Sequence, residues 1–104
     1  MFRYQLLIEY EGSSFNGWQF QKKGISIQEN IEIIISKLLK EKIKVHGSGR
    51  TDSGVHAIEQ SAHFDCGSKI INIGKFINSM NFFLNRNKIS ILKLKKKIII
   101  SILD

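Results

Sequence analysis

Residues 3–10 read RYQLLIEY, and this stretch decides how the chain begins to fold. Apolar or aromatic side chains occupy every second position, at Tyr4, Leu6, Ile8 and Tyr10. An alternation with a period of two is typical of a strand that buries one face. The following EGSS, residues 11–14, consists of turn formers. The stretch therefore predicts a first strand over residues 3–10.

Two later segments carry apolar residues at helical spacing. The first opens with Ser-Ile-Gln-Glu at residues 26–29, which has the form of a capping box. The second follows Asn72, a residue type that commonly caps helices. Each apolar stripe predicts a helix that buries one face, the first over about residues 27–41. The stripes are Ile27, Ile31, Ile34, Ile35, Leu38 and Leu39, and then Ile73, Phe76, Ile77, Met80, Phe83 and Leu84.

Three further segments are strand candidates, at residues 42–46, 57–65 and 88–95. The second alternates clearly, with Ile58, Gln60, Ala62 and Phe64 opposite Glu59, Ser61, His63 and Asp65. The resulting element order is βαββαβ. This order predicts an α+β domain of the ferredoxin-like type, with two layers: an antiparallel four-stranded sheet and two helices on one of its faces.

Composition and charge limit the classes of function. The chain has 104 residues, enough for one domain, and no apolar run approaches the roughly 20 residues of a membrane span. The start lacks the pattern of a signal peptide and Cys66 is the only cysteine, so we expect a soluble protein of the reducing cytoplasm. The net charge of +7 favours a polyanionic partner, although codon usage rich in lysine explains it equally well.

Residues 47–57 read GSGRTDSGVHA, which we interpret as a loop that presents Arg50 and Asp52 at the rim of the sheet. Its glycines permit positive φ angles and close approach of a ligand to the backbone. The segment matches neither a dinucleotide fingerprint nor a phosphate-binding P-loop, since both need glycine or lysine at other positions. For an arbitrary Asp-Ser-Gly tripeptide, an Asx turn is favoured over a catalytic role by roughly three to one.

The string GRTDSGVHA, followed by QSAHFD at residues 60–65, resembles the signature of the tRNA pseudouridine synthase A family. IEYEGSSFNGWQ, residues 8–19, is similar to the first strand and following loop of that family. Residues 81–84 match the start of its Asn-x-x-Leu-Pro pattern, with Asn85 in place of the proline, and Glu11 stands where aspartate is usual. The resemblance runs from about residue 3 to residue 95.

This resemblance implies an isomerase that converts uridines of the tRNA anticodon stem-loop to pseudouridine without a cofactor. It implies Asp52 as the catalytic nucleophile and Arg50 as the basic residue beside it. It further implies tRNA as the partner and a homodimer for the full-length protein. No metal is expected, because His46, His56 and His63 match no known ligand spacing. The other residues expected to contact RNA are Gly49, Thr51, Ser53, Gly54 and His56.

The same resemblance makes residues 1–97 an amino-terminal half, and residues 98–104 an aberrant apolar tail of the kind that a truncated or frameshifted gene produces. In the family, a second half closes the cleft and stacks an aromatic residue on the target base. We therefore expect the chain alone to form no measurable pseudouridine. The alternative function is a noncatalytic RNA-binding remnant, although the aromatic string of RRM modules is missing.

Overall fold

The computed structural model describes residues 1–11, 26–52 and 57–98. Within these ranges the element order is βαββαβ, and the four strands form one antiparallel sheet in the order β2-β3-β1-β4. The predicted α+β, ferredoxin-like architecture is confirmed. The elements are β1 Phe2–Glu11, α1 Ile27–Leu39, β2 Val45–Asp52, β3 Ala57–Cys66, α2 Ile73–Leu84, a 3₁₀ turn Asn85–Asn87, and β4 Ile89–Lys97.

The core lies between the two helices and one face of the sheet. The predicted inward residues of β1 are all buried, and so are Ala62 and Phe64 on β3. They form one cluster with Ile31 and Ile35 of α1 and Met80 of α2. Burying each large aliphatic side chain contributes about 1.5–3 kcal/mol, so this cluster dominates the stability of the fold. The opposite face of the sheet, which no described helix covers, is called the open face below.

The two helices begin where the capping residues predict. The Glu29 N–H donates to Ser26 Oγ at 3.1 Å, which is the predicted cap bond, and the Ser26 hydroxyl in turn donates to Glu29 Oε1 at 3.2 Å. Asn72 Oδ1 accepts the Lys75 N–H at 3.0 Å. Helix α1 ends at Leu39, two residues before the predicted end, because Lys40 adopts a left-handed conformation with φ 57°. No helix in the described ranges is long and apolar enough to cross a membrane.

The prediction for the second strand was wrong in its bounds, and with it the interpretation of residues 47–57 as a loop throughout. β2 runs from Val45 to Asp52 rather than over residues 42–46. Its pairing with β3 continues past Gly47 with a register shift between Gly47 and Gly49. Glycine lacks the side chain that would resist such a bulge, and pairing with a neighbouring strand outweighs the low strand propensity of the segment.

The last strand, β4, contains a bulge that a simple alternation does not predict. The register with β1 shifts at Leu92, which is 42% exposed, whereas Ile91 and Leu94 on either side are buried. The Asn81 side chain of α2 supports this region. Its amide donates to the Ile91 carbonyl at 3.1 Å and accepts the Ile91 N–H at 2.7 Å. The two bonds hold α2 against β4 where the ladder is irregular.

Candidate functional site

Asp52, the predicted nucleophile, is the last residue of β2. Its backbone is in register with Ile58, the second residue of β3. The backbones of Gly49, Arg50 and Thr51 precede it in the strand, while their side chains, like that of Asp52, are not described. Ser53, Gly54 and His56 lie outside the described residues. The sheet thus positions the backbone that carries Asp52 at one end of the β2–β3 pair.

The beginning of β2 is held by two side chains of α1. Gln28 Nε2 donates to the Val45 carbonyl at 2.6 Å, and Glu32 Oε2 accepts the Val45 N–H at 2.8 Å. Gln28 and Glu32 are four residues apart and therefore lie on one side of the helix. Val45 itself is fully buried, so that both of its backbone groups depend on these partners. Helix α1 thereby sets the position from which β2 runs to Asp52.

Two histidines lie opposite each other on β2 and β3, next to the bulge of β2. His46 and His63 are in register, and their rings stack with centroids 5.3 Å apart. Ser48 Oγ and His63 Nδ1 form a hydrogen bond of 3.1 Å. Burial chiefly lowers the pKa of His63, with a further contribution from the Arg3 and His46 charges, against an opposing effect of Asp65. Both histidines therefore make contacts across the β2–β3 pair.

An ion pair crosses the open face between β1 and β3. Arg3 contacts the Asp65 carboxylate through two nitrogens, at 2.7 and 2.9 Å. This hydrogen bonding holds the pKa of Asp65 below its ordinary value and raises that of Arg3. Because the bond joins both charged groups in a bidentate geometry, it is compatible with only this pairing of Arg3 and Asp65 and neutralises their charges.

The charges of the open face are separated along the strands. Glu9 and Glu59 are directly opposite each other, and Thr51 is in register with Glu59 on the other side. Glu9 and Glu59 lie one residue along their strands from Tyr10 and Ile58, the residues in register with Asp52. Lys93 and Lys95 lie nearer the other end of β4. The open face is therefore acidic near the end of β2 and basic away from it.

Other candidate chemistry is weak within the described ranges. They contain no cluster of three or more His, Cys, Asp or Glu residues that could hold a metal ion. Cys66 is buried, and its thiol donates to the Ser68 carbonyl at 3.0 Å. Burial raises the pKa of this thiol, so it is a poor nucleophile at neutral pH.

Several residues that support this arrangement were missed by sequence reasoning. Gln28, Glu32 and Asn81 each bind backbone of a strand distant in sequence. The spacing of Gln28 and Glu32 on the polar side of α1 was visible, but their partner was not. Asn85, which replaces the proline of the family pattern, donates its backbone N–H to the Asn81 carbonyl. Proline has no N–H and could not make this bond.

The fold and the sequence of β2 together define a class of protein. It is a ferredoxin-like domain whose second strand ends in an Arg-Thr-Asp sequence at the edge of the sheet. A family model described as tRNA pseudouridine synthase matches residues 6–98. The chain belongs to the tRNA pseudouridine synthase family.

Curated relatives support this membership. A tRNA pseudouridine synthase A of Pelagibacter ubique is 60% identical over 97 residues, which cover 93% of this chain and 39% of that protein. The protein of the same name from Neorickettsia sennetsu is 43% identical, over 89% of this chain and 38% of its own length. One from Methylocella silvestris is 44% identical, over 90% and 38%. The chain thus spans about two fifths of the length of these relatives.

Proposed function

We propose that this chain provides the Asp52-bearing part of a tRNA pseudouridine synthase. The observation that carries the proposal is the family match over residues 6–98, which includes the whole Gly49–Ala57 string. The finer features implied by the resemblance belong to the same proposal: uridines of the anticodon stem-loop as targets and a homodimer as the full-length assembly.

In the proposed reaction, Asp52 acts as the nucleophile. Asp52 forms a transient bond to the substrate, the bond between the sugar and the uracil nitrogen breaks, the uracil turns, and a ring carbon joins the sugar. The bond to Asp52 then breaks, the ring carbon loses its proton to solvent, and the freed ring nitrogen takes up a proton, so the product is an isomer of the substrate. A carboxylate can attack either the anomeric carbon of the sugar or the uracil ring. In both routes it must be ionised, and an aspartate with an ordinary pKa near 3.9 is ionised at neutral pH. A neighbouring guanidinium, the role proposed for Arg50, keeps the pKa low.

The other residues of the proposed site are assigned to holding the target nucleotide where Asp52 can reach it. A uridine in a paired RNA stem cannot be attacked in place, so it must turn out of the helix into the enzyme. The glycines on either side of Asp52 leave room for the displaced nucleotide to approach the backbone. We assign Gly49, Thr51, Ser53, Gly54 and His56 to contacts with this nucleotide and its phosphates.

The test is a tritium-release assay on a fusion of this chain with the carboxy-terminal part of the Pelagibacter ubique relative. The substrate is tRNA whose uridines are labelled at the ring carbon that becomes bonded to the sugar. We expect the fusion to release tritium and Asp52→Asn to abolish release. Asp65→Asn is the matched control, because it makes the same change at a carboxylate engaged with Arg3. RNA binding by the fusion without tritium release would instead support a noncatalytic RNA-binding module.

A further inference from the structure

Strand β4 presents a row of lysines on the open face. Lys93, Lys95 and Lys97 are in register with Leu7, Gln5 and Arg3 of β1, and all three lysines are exposed. Residues two apart in a strand point to the same face and are separated by roughly 6.7 Å. The row therefore offers evenly spaced positive charges, as an extended nucleic acid strand offers evenly spaced phosphates.

A depression lies beside this row. It has a volume of about 220 Å³ and is lined by Gln5, Leu6, Leu7, Ser61, Lys93 and Lys95. Gln5 Nε2 donates to Ser61 Oγ at 2.9 Å. A hydroxyl that accepts one hydrogen bond can still donate its own hydrogen. Two lysines and a hydroxyl residue thus line one space, and ammonium and hydroxyl groups are donors that suit a phosphate.

A separate groove of about 360 Å³ lies between the helices and is lined by Leu38, Ile70 and Phe76 among others. That groove is mostly apolar, and nothing in the structure shows what covers it. It carries no inference.

The simpler explanation of the lysine row is protection of an edge strand against pairing with other chains. Lys96 serves that purpose equally well from the other face, where its ammonium lies 5.4 Å from the centre of the Phe2 ring. Edge protection does not require two lysines to line one depression with Ser61. Among the described residues, Arg3 and Lys88 have carboxylate partners, whereas Lys93 and Lys95 have none within salt-bridge distance. Their charges are available to a ligand.

We propose that this depression binds a backbone phosphate of the substrate RNA, and that Lys93, Lys95 and Lys97 follow the strand leading away from the target uridine. The inference rests on the proposed function, since it takes RNA as the ligand. It adds a binding surface on β4, on the opposite edge of the sheet from Asp52.

The distance between the two places fits one RNA segment. Asp52, Ile58, Tyr10 and Ile89 form a row across the sheet. The three strand spacings from β2 to β4 amount to roughly 14 Å, and the three residues from Tyr10 to Leu7 amount to roughly 10 Å along the strand. Lys93, opposite Leu7, therefore lies roughly 17 Å from the backbone of Asp52. A few nucleotides of RNA span this distance, so a uridine at Asp52 and a phosphate at Lys93 can belong to one strand.

The test compares the 104-residue chain with its Lys93→Gln/Lys95→Gln variant, with Lys96→Gln as the control from the same strand and the opposite face. The probe is a fluorescently labelled RNA stem-loop with the sequence of a tRNA anticodon arm, titrated by anisotropy over a series of salt concentrations. Losing two phosphate contacts should weaken binding on the order of tenfold and lower the slope of log affinity against log salt by about 1.4. Lys96→Gln should change affinity less than about threefold.

Two results would overturn the inference: an equal effect of Lys96→Gln, or no binding of the stem-loop by the unaltered chain at low salt. Thermal unfolding of each variant separates lost binding from lost folding. The inference and the proposed function can fail separately. Binding that depends on Lys93 and Lys95, in a fusion that releases no tritium, would support the phosphate site and refute the catalytic proposal. A fusion that releases tritium and whose affinity for RNA is unaffected by the two substitutions would support the catalytic proposal and refute the phosphate site.

Discussion

Replacing Glu32 with alanine tests whether α1 positions the strand that ends in Asp52. Glu32 accepts the backbone N–H of Val45 at 2.8 Å, and Val45 is fully buried. Glu32→Ala leaves this N–H without its carboxylate partner. Alanine is the better helix former, so the helix itself does not suffer from the change. Any loss of stability therefore reports the contact with β2.

The expected magnitude follows from the kind of hydrogen bond. A buried donor that loses its partner costs about 1–3 kcal/mol, and bonds to charged groups lie in the upper part of that range. We expect the free energy of unfolding to fall by about 2 kcal/mol. For a domain of this size, such a loss lowers the melting temperature by roughly 10 °C. The backbone of Asp52 belongs to the same strand, so tritium release by the fusion should fall as well.

The measurement is chemical denaturation followed by circular dichroism, with two companion variants. Glu32→Gln keeps an acceptor oxygen without the charge and should retain most of the stability. Lys37→Ala, at an exposed position of the same helix, should change stability by less than about 0.5 kcal/mol. The reasoning is refuted if Glu32→Ala costs no more than Lys37→Ala, or if Glu32→Gln is as damaging as Glu32→Ala.

Two further predictions concern stability. Asp65→Asn should remove the stability that arises from the lowered pKa of Asp65, which is present above the ordinary aspartate pKa and disappears as the pH falls through the lowered value. In urea denaturation, the stability advantage of the unaltered chain over this variant should therefore shrink from pH 6 to pH 3. An undiminished advantage at pH 3 would contradict this prediction. Lys40→Gly should raise the free energy of unfolding by about 1 kcal/mol, because glycine adopts the left-handed conformation at φ 57° without strain. Thermal melting measures this change, with Lys42→Gly as the control. Equal effects of the two substitutions would disprove the prediction.

The parts of the fold that followed from sequence are those in which burial acts on a regular pattern. Tyr4 and Leu6 lie two residues apart because one face of β1 is in the core, and Ser26 and Asn72 cap helices through bonds to backbone three residues away. Such signals are local, and local sequence contains them.

The parts that did not follow depend on partners distant in sequence. Gly47 belongs to a strand because β3 lies beside it, and the bulge at Leu92 lies next to Ile91, which Asn81 of α2 binds. The phosphate site proposed on β4 depends on the register that brings Lys93 beside Leu7, which no local pattern specifies. For Asp52, the sequence signature predicts the chemistry, while the structure adds the position of its backbone in the sheet.

The position of β1 at the centre of the sheet has a consequence for how the protein is made. β1 is the first strand of the chain, and one of its two neighbours, β4, is the last: Arg3 pairs with Lys97. During synthesis, β1 leaves the ribosome long before β4 exists, with one hydrogen-bonding edge still unpaired. Contacts between such distant parts of a chain form slowly, and an unpaired strand is prone to aggregation in the meantime. We expect the sheet to close only after translation has passed Lys97, so that ribosome-bound chains stalled before β4 remain sensitive to protease.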